Sequence, residues 1–451
     1  MKKIIFFVLV LGVLGLFLVL GLNNKETEVK KEEKKVTKEK ISKSYASVIS
    51  KNEGSVTLQD SKNIIKEANL NSEVQNGDML EFVHKEGTDE YDEFAGKHKV
   101  IGYDDKLPKA WDDEGIFKKY YNKAYEKIQK MSLDEKIAQI LLVRYPDSNQ
   151  AETLKSNKFG GYIFYAKDFK DKSYSDVQEM MNNLQSVSDI PILTAVDEEG
   201  GKVIRVSSNP KLSPTPFKSP RELYLEGGFD KIKEDTINKS NLLHDLGINL
   251  NLAPVVDVTT NPDDYMYARA LGEDSEKTSE YAETVIKASK GLGVTYVLKH
   301  FPGYGNNSDT HTGSSVDNRS YEDILNNDLP PFQSGIKAGA EAVLVSHNIV
   351  NSVDGDNPAS LSAKVHNLLR ENLGFTGIII TDDLGMGAIY DTKEATVKAI
   401  LAGNDLIITT DWKSSMAGIK EAIDNGRISS HLIDKLALRI ISWKYYMCIL
   451  R

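Results

Sequence analysis

Residues 299–313 read KHFPGYGNNSDTHTG and place two of the chain's eight histidines, a lysine and an aspartate in one irregular segment. Imidazole is the side chain whose charge changes most readily near neutral pH. An aspartate two residues ahead of it in a loop, as Asp309 is to His311, can hydrogen-bond the ring and stabilise its protonated form. Such a histidine can give up a proton and later take one from water. The plain alternative is a polar surface loop, and only its setting decides between the two.

Other charges gather at comparable places. PILTAV runs into Asp197, Glu198 and Glu199; TYVL into Lys299 and His300; AVLVS into His347; GIIIT into Asp382 and Asp383. Charges directly after buried apolar runs are costly unless paired or used. A retaining glycosidase needs a carboxylate on one face of the sugar and a proton donor on the other. Asp382 fits the carboxylate. Strand alternation sends only one of Asp382 and Asp383 toward a barrel axis, leaving the other as a structural partner. The proton donor is open among Glu198, Glu199 and the Asp309/His311 pair.

Positioning these groups requires a scaffold. Eight β-type runs recur after residue 106: QILLVRY, GGYIFY, PILTAV, INLNLAP, TYVLKH, AVLVSH, GIIITD and DLIITT. Amphipathic stretches of helical period, such as DVQEMMNNLQSV, SEYAETVIKASKGL and AKVHNLLRENLG, separate most of them. Apolar strands alternating with helices predict an α/β fold, a parallel (β/α)8 barrel of the TIM type over residues 106–451. An open doubly wound sheet is the other choice, but no Gly-x-Gly-x-x-Gly turn follows an early strand. In such a barrel the residues just after each strand face the site.

Ahead of the barrel the composition changes three times. Residues 4–22 are an uncharged apolar run of 19 residues, enough to span a hydrocarbon core, so residues 1–24 read as a signal-anchor in preference to a cleaved signal. Residues 25–43 hold eight Lys and five Glu, a charged linker unable to bury enough surface to order itself. Residues 44–105 carry short β-type runs (SVTL, MLEFV, HKVIGY) between turn-rich pieces, and read as a small all-β domain. The expected location is the cell membrane, single-pass, with the barrel on the extracellular side; secretion after cleavage is the alternative. A net charge of −10 without a basic half makes nucleic acid an unsuitable partner. The single cysteine, Cys448, permits no internal disulfide, metal cluster or dithiol chemistry.

Taken together the motifs resemble the β-N-acetylglucosaminidases of glycoside hydrolase family 3. MSLDEKIAQILLVRYP is similar to that family's opening segment, and VDEEGGKVIRV to its VDxEGGRVxR element. NLAPVVDVTTNP with ARALGED, KHFPGYG with DTH, and GFTGIIITDDLGM follow in the family's order. The resemblance implies a (β/α)8 barrel acting with retention through a covalent glycosyl-aspartate. It implies Asp382 as nucleophile, His311 as acid/base partnered by Asp309, and Asp197, Arg205, Arg269, Lys299 and His300 as sugar-binding positions. It implies a glycan partner with terminal β-N-acetylglucosamine, and no metal or cofactor. The chain departs from the family where Tyr304 stands for the loop's second histidine and Asn306-Asn307 for Asp-Thr. Its end, soon after SHLIDKLALRIISWKYY, leaves no room for the second domain that supplies a glutamate acid in many β-glucosidases of the family, which favours the histidine mechanism. The expected activity is exo-hydrolysis of N-acetylglucosamine from cell-wall fragments or related glycans. Phosphorolysis of the same bond, or a catalytically silent carbohydrate-binding protein, are the rival readings.

Overall fold

The computed structural model describes residues 41–52, 55–70, 73–85, 98–103, 106–305, 307, 315–386, 389 and 392–451. The expected membrane segment lies outside these residues, as do His311 and Asp309. Among the described residues no helix is long and apolar enough to cross a membrane.

All eight of the β-type runs become strands of one parallel sheet. In chain order these are β6 (Leu141–Arg144), β7 (Gly161–Phe164), β8 (Leu193–Val196), β9 (Leu250–Asn251), β10 (Thr295–Phe301), β12 (Ala342–Val345), β15 (Ile378–Thr381) and β16 (Ile407–Thr409). Each pairs with the next, β16 returns to β6, and a parallel bridge from Ile380 to Leu406 closes the ring. Strands such as β7, β8 and β15 are buried at every position, which explains their continuous apolar runs.

Helices cover the outside. The helix Tyr174–Ser186 starts in a capping box, Ser173 Oγ accepting from Asp176 N while the Asp176 carboxylate accepts from Ser173 N. It buries Val177, Met181 and Leu184, one stripe at helical spacing. AKVHNLLRENLG does not form one regular helix: α-helix Ala363–Asn367 passes into a wider π turn, Leu368–Asn372.

The N-terminal β-runs form a five-stranded antiparallel sheet of β1 (Ile41–Asn52), β2 (Ser55–Asp60), β3 (Ile65–Ala68), β4 (Met79–Lys85) and β5 (His98–Ile101), ordered β3-β2-β1-β4-β5. β1 begins inside the stretch read as charged linker. One side chain layer, including Val48, Leu58, Leu80 and Phe82, makes a small core of its own, while Ile49, Ile65 and Met79 join the core of the barrel. The sheet is fastened to the C-terminal helix Ser430–Tyr446: Ser429 N donates to Ile49 O at 3.1 Å and Lys435 Nζ to Asp60 O at 3.0 Å.

A third, three-stranded sheet of β11 (Val316–Asp317), β13 (Ile349–Val350) and β14 (Asp354–Pro358) sits where the chain returns from the histidine loop. Ile349 N donates to Ser315 O at 2.8 Å, so the exit of that loop is pinned to the segment following β12.

Candidate active site

The strand ends meet around a cavity of about 770 Å3 whose walls include Asp197, Glu199, Arg205, Arg269, Lys299, His300, Asp382 and Asp383. Every sugar-binding position expected from the sequence is therefore in one place with the expected nucleophile.

A charge network binds one wall. Lys299 Nζ lies 2.8 Å from Asp197 Oδ1 and 2.7 Å from Glu199 Oε1. Arg269 grips Glu199 with two donors, Nε to Oε2 at 2.9 Å and an Nη to Oε1 at 2.6 Å, the fork geometry that suits a carboxylate. Arg205 stands 3.5 Å from the second oxygen of Asp197. Burial works against the charges of Asp197 and Glu199, but the adjoining cations outweigh it and hold both carboxyls below their usual range. Lys299 is likewise buried, and the two carboxylates keep its ammonium above the usual range.

The other two candidates for the proton donor, Glu199 and Glu198, are both engaged by protein donors. Glu199 is an ion-paired carboxylate whose proton affinity is far below that of a general acid. Glu198 is wholly buried and its carboxylate accepts from the backbone N–H of Arg205 (2.8 Å) and Val206 (2.7 Å) and from the Ser207 hydroxyl (2.5 Å). It closes the turn that delivers Arg205.

His300 is committed on both sides. Nδ1 is 2.8 Å from Asp257 Oδ2, and Nε2 is 3.3 Å from an Arg269 nitrogen. A guanidinium only donates, so Nε2 accepts and Nδ1 carries the proton given to Asp257. Asp257 also accepts from Tyr304 N at 2.7 Å and so fixes the turn that opens the histidine loop. Asp257 escaped notice in the sequence, although it stands in the quoted NLAPVVDVTTNP stretch. Tyr304, the departure from the family pattern, is buried against Tyr265 and edge-on to His300. Gly303 and Gly305 both have positive φ, and a side chain at either would collide with Asp328 or Arg319. Arg319 in turn bridges Asp317 and Asp328 at 2.7 Å each, a rigid footing for the loop stem.

At the same cavity the chain leaves β15 at Thr381. Both acidic residues that follow line the cavity, against the expectation that only one would. Alternation holds within a strand, and here the strand has ended. The two differ in how they are held. Asp383 accepts from Gly385 N at 2.9 Å and from the Thr410 hydroxyl at 3.1 Å. Among the described residues Asp382 accepts from Asp383 N at 2.9 Å, and it lines the cavity. His347 is a buttress: its Nε2 meets Asp383 O at 3.0 Å and its Nδ1 the Ser360 hydroxyl at 2.7 Å.

Residues 132–443 match the profile of the glycosyl hydrolase family 3 N terminal domain. The chain belongs to glycosyl hydrolase family 3. This family 3 chain is 31% identical over 328 residues to the β-hexosaminidase LpqI of Mycobacterium tuberculosis, across 70% of this chain and 83% of that protein. A β-hexosaminidase of Xylella fastidiosa is 30% identical over 247 residues, 54% of this chain and 72% of that protein. A solved family 3 β-N-acetylglucosaminidase from a Paenibacillus species superposes with a TM-score of 0.67 at 28% identity, over 71% of this chain and 63% of that one. The family 3 chain is a glycoside hydrolase, and the two curated relatives named above are β-hexosaminidases.

Sequence reasoning passed over Arg144, Tyr165, Thr410 and Asp411, which also line the cavity. Each stands at or just beyond a strand end, where the strand-end rule applies.

Proposed function

We propose that this enzyme is a retaining exo-β-N-acetylglucosaminidase acting on terminal N-acetylglucosamine of cell-wall fragments or related glycans. The observation that carries the reading is that one cavity brings the carboxylate Asp382 together with the paired charges Asp197, Glu199, Lys299 and Arg269. Paired ionic groups hold sugar hydroxyls in fixed directions, while a carboxylate at the same cavity can attack.

In this mechanism Asp382 attacks the anomeric carbon as His311 protonates the departing oxygen. The glycosidic bond breaks and a glycosyl ester forms on Asp382. His311 then takes a proton from water, the water oxygen attacks the same carbon, and Asp382 leaves as carboxylate with net retention. Asp309 orients the imidazole and supports its charged form. The inaptness of Glu198 and Glu199 as acids supports the dyad, and the β-hexosaminidase relatives support the sugar. We also place the barrel outside the membrane, tethered through residues 4–22, on the apolar length of that run.

A panel of aryl β-glycosides of N-acetylglucosamine, glucose and xylose, with products analysed with and without phosphate, tests the assignment. Turnover of the N-acetylglucosaminide to free sugar is expected. Activity confined to the glucoside, or release of a sugar phosphate, would overturn it.

A further inference from the structure

Tyr165 follows β7 directly and lines the same cavity as Asp197 and Asp382. Two guanidinium groups lie against its ring, that of Arg144 at 4.6 Å from the centroid and that of Arg205 at 5.3 Å. Arg205 has Asp197 as its ionic partner, whereas Arg144 makes no ion pair among the described residues. Its charge is spent on the ring, where a planar cation held on an aromatic face fixes orientation. The Tyr165 hydroxyl donates to no described residue. Burial, and then the carboxylates of Asp383 and Asp197, push this phenol well above its usual range, so it keeps its proton. Lys299 and Arg269, by contrast, already donate to Glu199.

We infer that Tyr165 is a further substrate-contacting residue, its O–H donating to the sugar beside the carbon that Asp382 attacks, and that Arg144 is the residue that positions it. The two guanidinium groups hold the ring before substrate arrives, so little orientation is lost on binding. Among the described residues none accepts from this hydroxyl, and a sugar oxygen in the cavity would supply the acceptor. The inference rests on the reading of Asp382 as nucleophile.

A double-mutant cycle on an aryl β-N-acetylglucosaminide tests it. Tyr165→Phe removes only the hydroxyl; it should lower kcat/KM about ten-fold, the effect of one lost hydrogen bond to substrate, with the melting temperature unchanged. Arg144→Met should also lower kcat/KM, yet add nothing in the Tyr165→Phe background, because it acts through that hydroxyl. A merely structural arginine would lower the melting temperature and multiply with Tyr165→Phe. Wild-type kcat/KM in Tyr165→Phe, or full multiplicativity of the pair, overturns the inference. Asp382→Asn is run alongside: if it retains activity, the nucleophile reading has failed, not the assignment of Tyr165.

Discussion

Glu199→Gln separates a clamp from a catalyst. The wild-type carboxylate, with its side chain fully buried, serves three donors: two from Arg269 and one from Lys299. A carboxamide offers one oxygen and turns an N–H2 toward cations that cannot accept it. Asp197 then remains as the ionic partner of Lys299, and Arg269, with a side chain only 12% exposed, is left without one among the described residues. Removing one member of such a buried pair costs about 3–5 kcal/mol. For a barrel of this size that corresponds to a melting temperature lowered by roughly 5–10 °C. The sign with pH follows from the depressed proton affinity of Glu199 in the folded state. Its stabilisation is fully present above the ordinary glutamate pKa of about 4.3 and is lost as pH falls further toward the folded value. The gap between wild type and Glu199→Gln, read by thermal melts, should therefore be widest at pH 7 and narrow below about pH 4. In parallel, kcat/KM on aryl glycosides should fall by a similar factor for good and poor leaving groups. An unchanged melting temperature, a gap that widens on acidification, or a selective loss on poor leaving groups would refute the clamp.

Two further outcomes are expected. His311→Ala should slow aryl substrates in proportion to the basicity of the leaving group, and azide, which attacks without a base, should speed the turnover of its activated substrates; Asp309→Asn should be a milder copy, and unchanged leaving-group dependence in His311→Ala would exclude the dyad. Fractionation of cells should leave the full-length protein with membranes and release a chain starting near Ser44 in soluble form; mature protein in the medium, cut near Leu22, would overturn the tether.

The barrel was legible because its strands are buried on both sides and so stand out as apolar runs punctuated by charge. The first sheet was half legible. β1, ISKSYASVISKN, buries Ser47 and Ser50 along with its apolar residues, so its composition resembles a solvated segment until its neighbours are known. β3 is four residues long, and a partner asparagine, Asn367, bonds both the N–H and the C=O of Ile65. No periodicity in four residues announces that. Within the site, strand ends exposed the charged residues, but not their division of labour. Glu198 and Glu199 are adjacent carboxylates in sequence, and only their partners show that one closes a turn and the other neutralises two cations. Asp257 was hidden for a related reason: its purpose lies in His300 and Tyr304, more than forty residues away.

The central claim is that Asp382 carries the sugar between bond cleavage and water attack. A 5-fluoro sugar fluoride of the N-acetylglucosamine type slows both steps by withdrawing electrons from the ring, yet keeps a leaving group that departs readily, so the intermediate accumulates. Mass spectrometry of the digested enzyme should find one added glycosyl group on the peptide containing Asp382. A label on another residue, or steady turnover with no covalent adduct, would contradict the account.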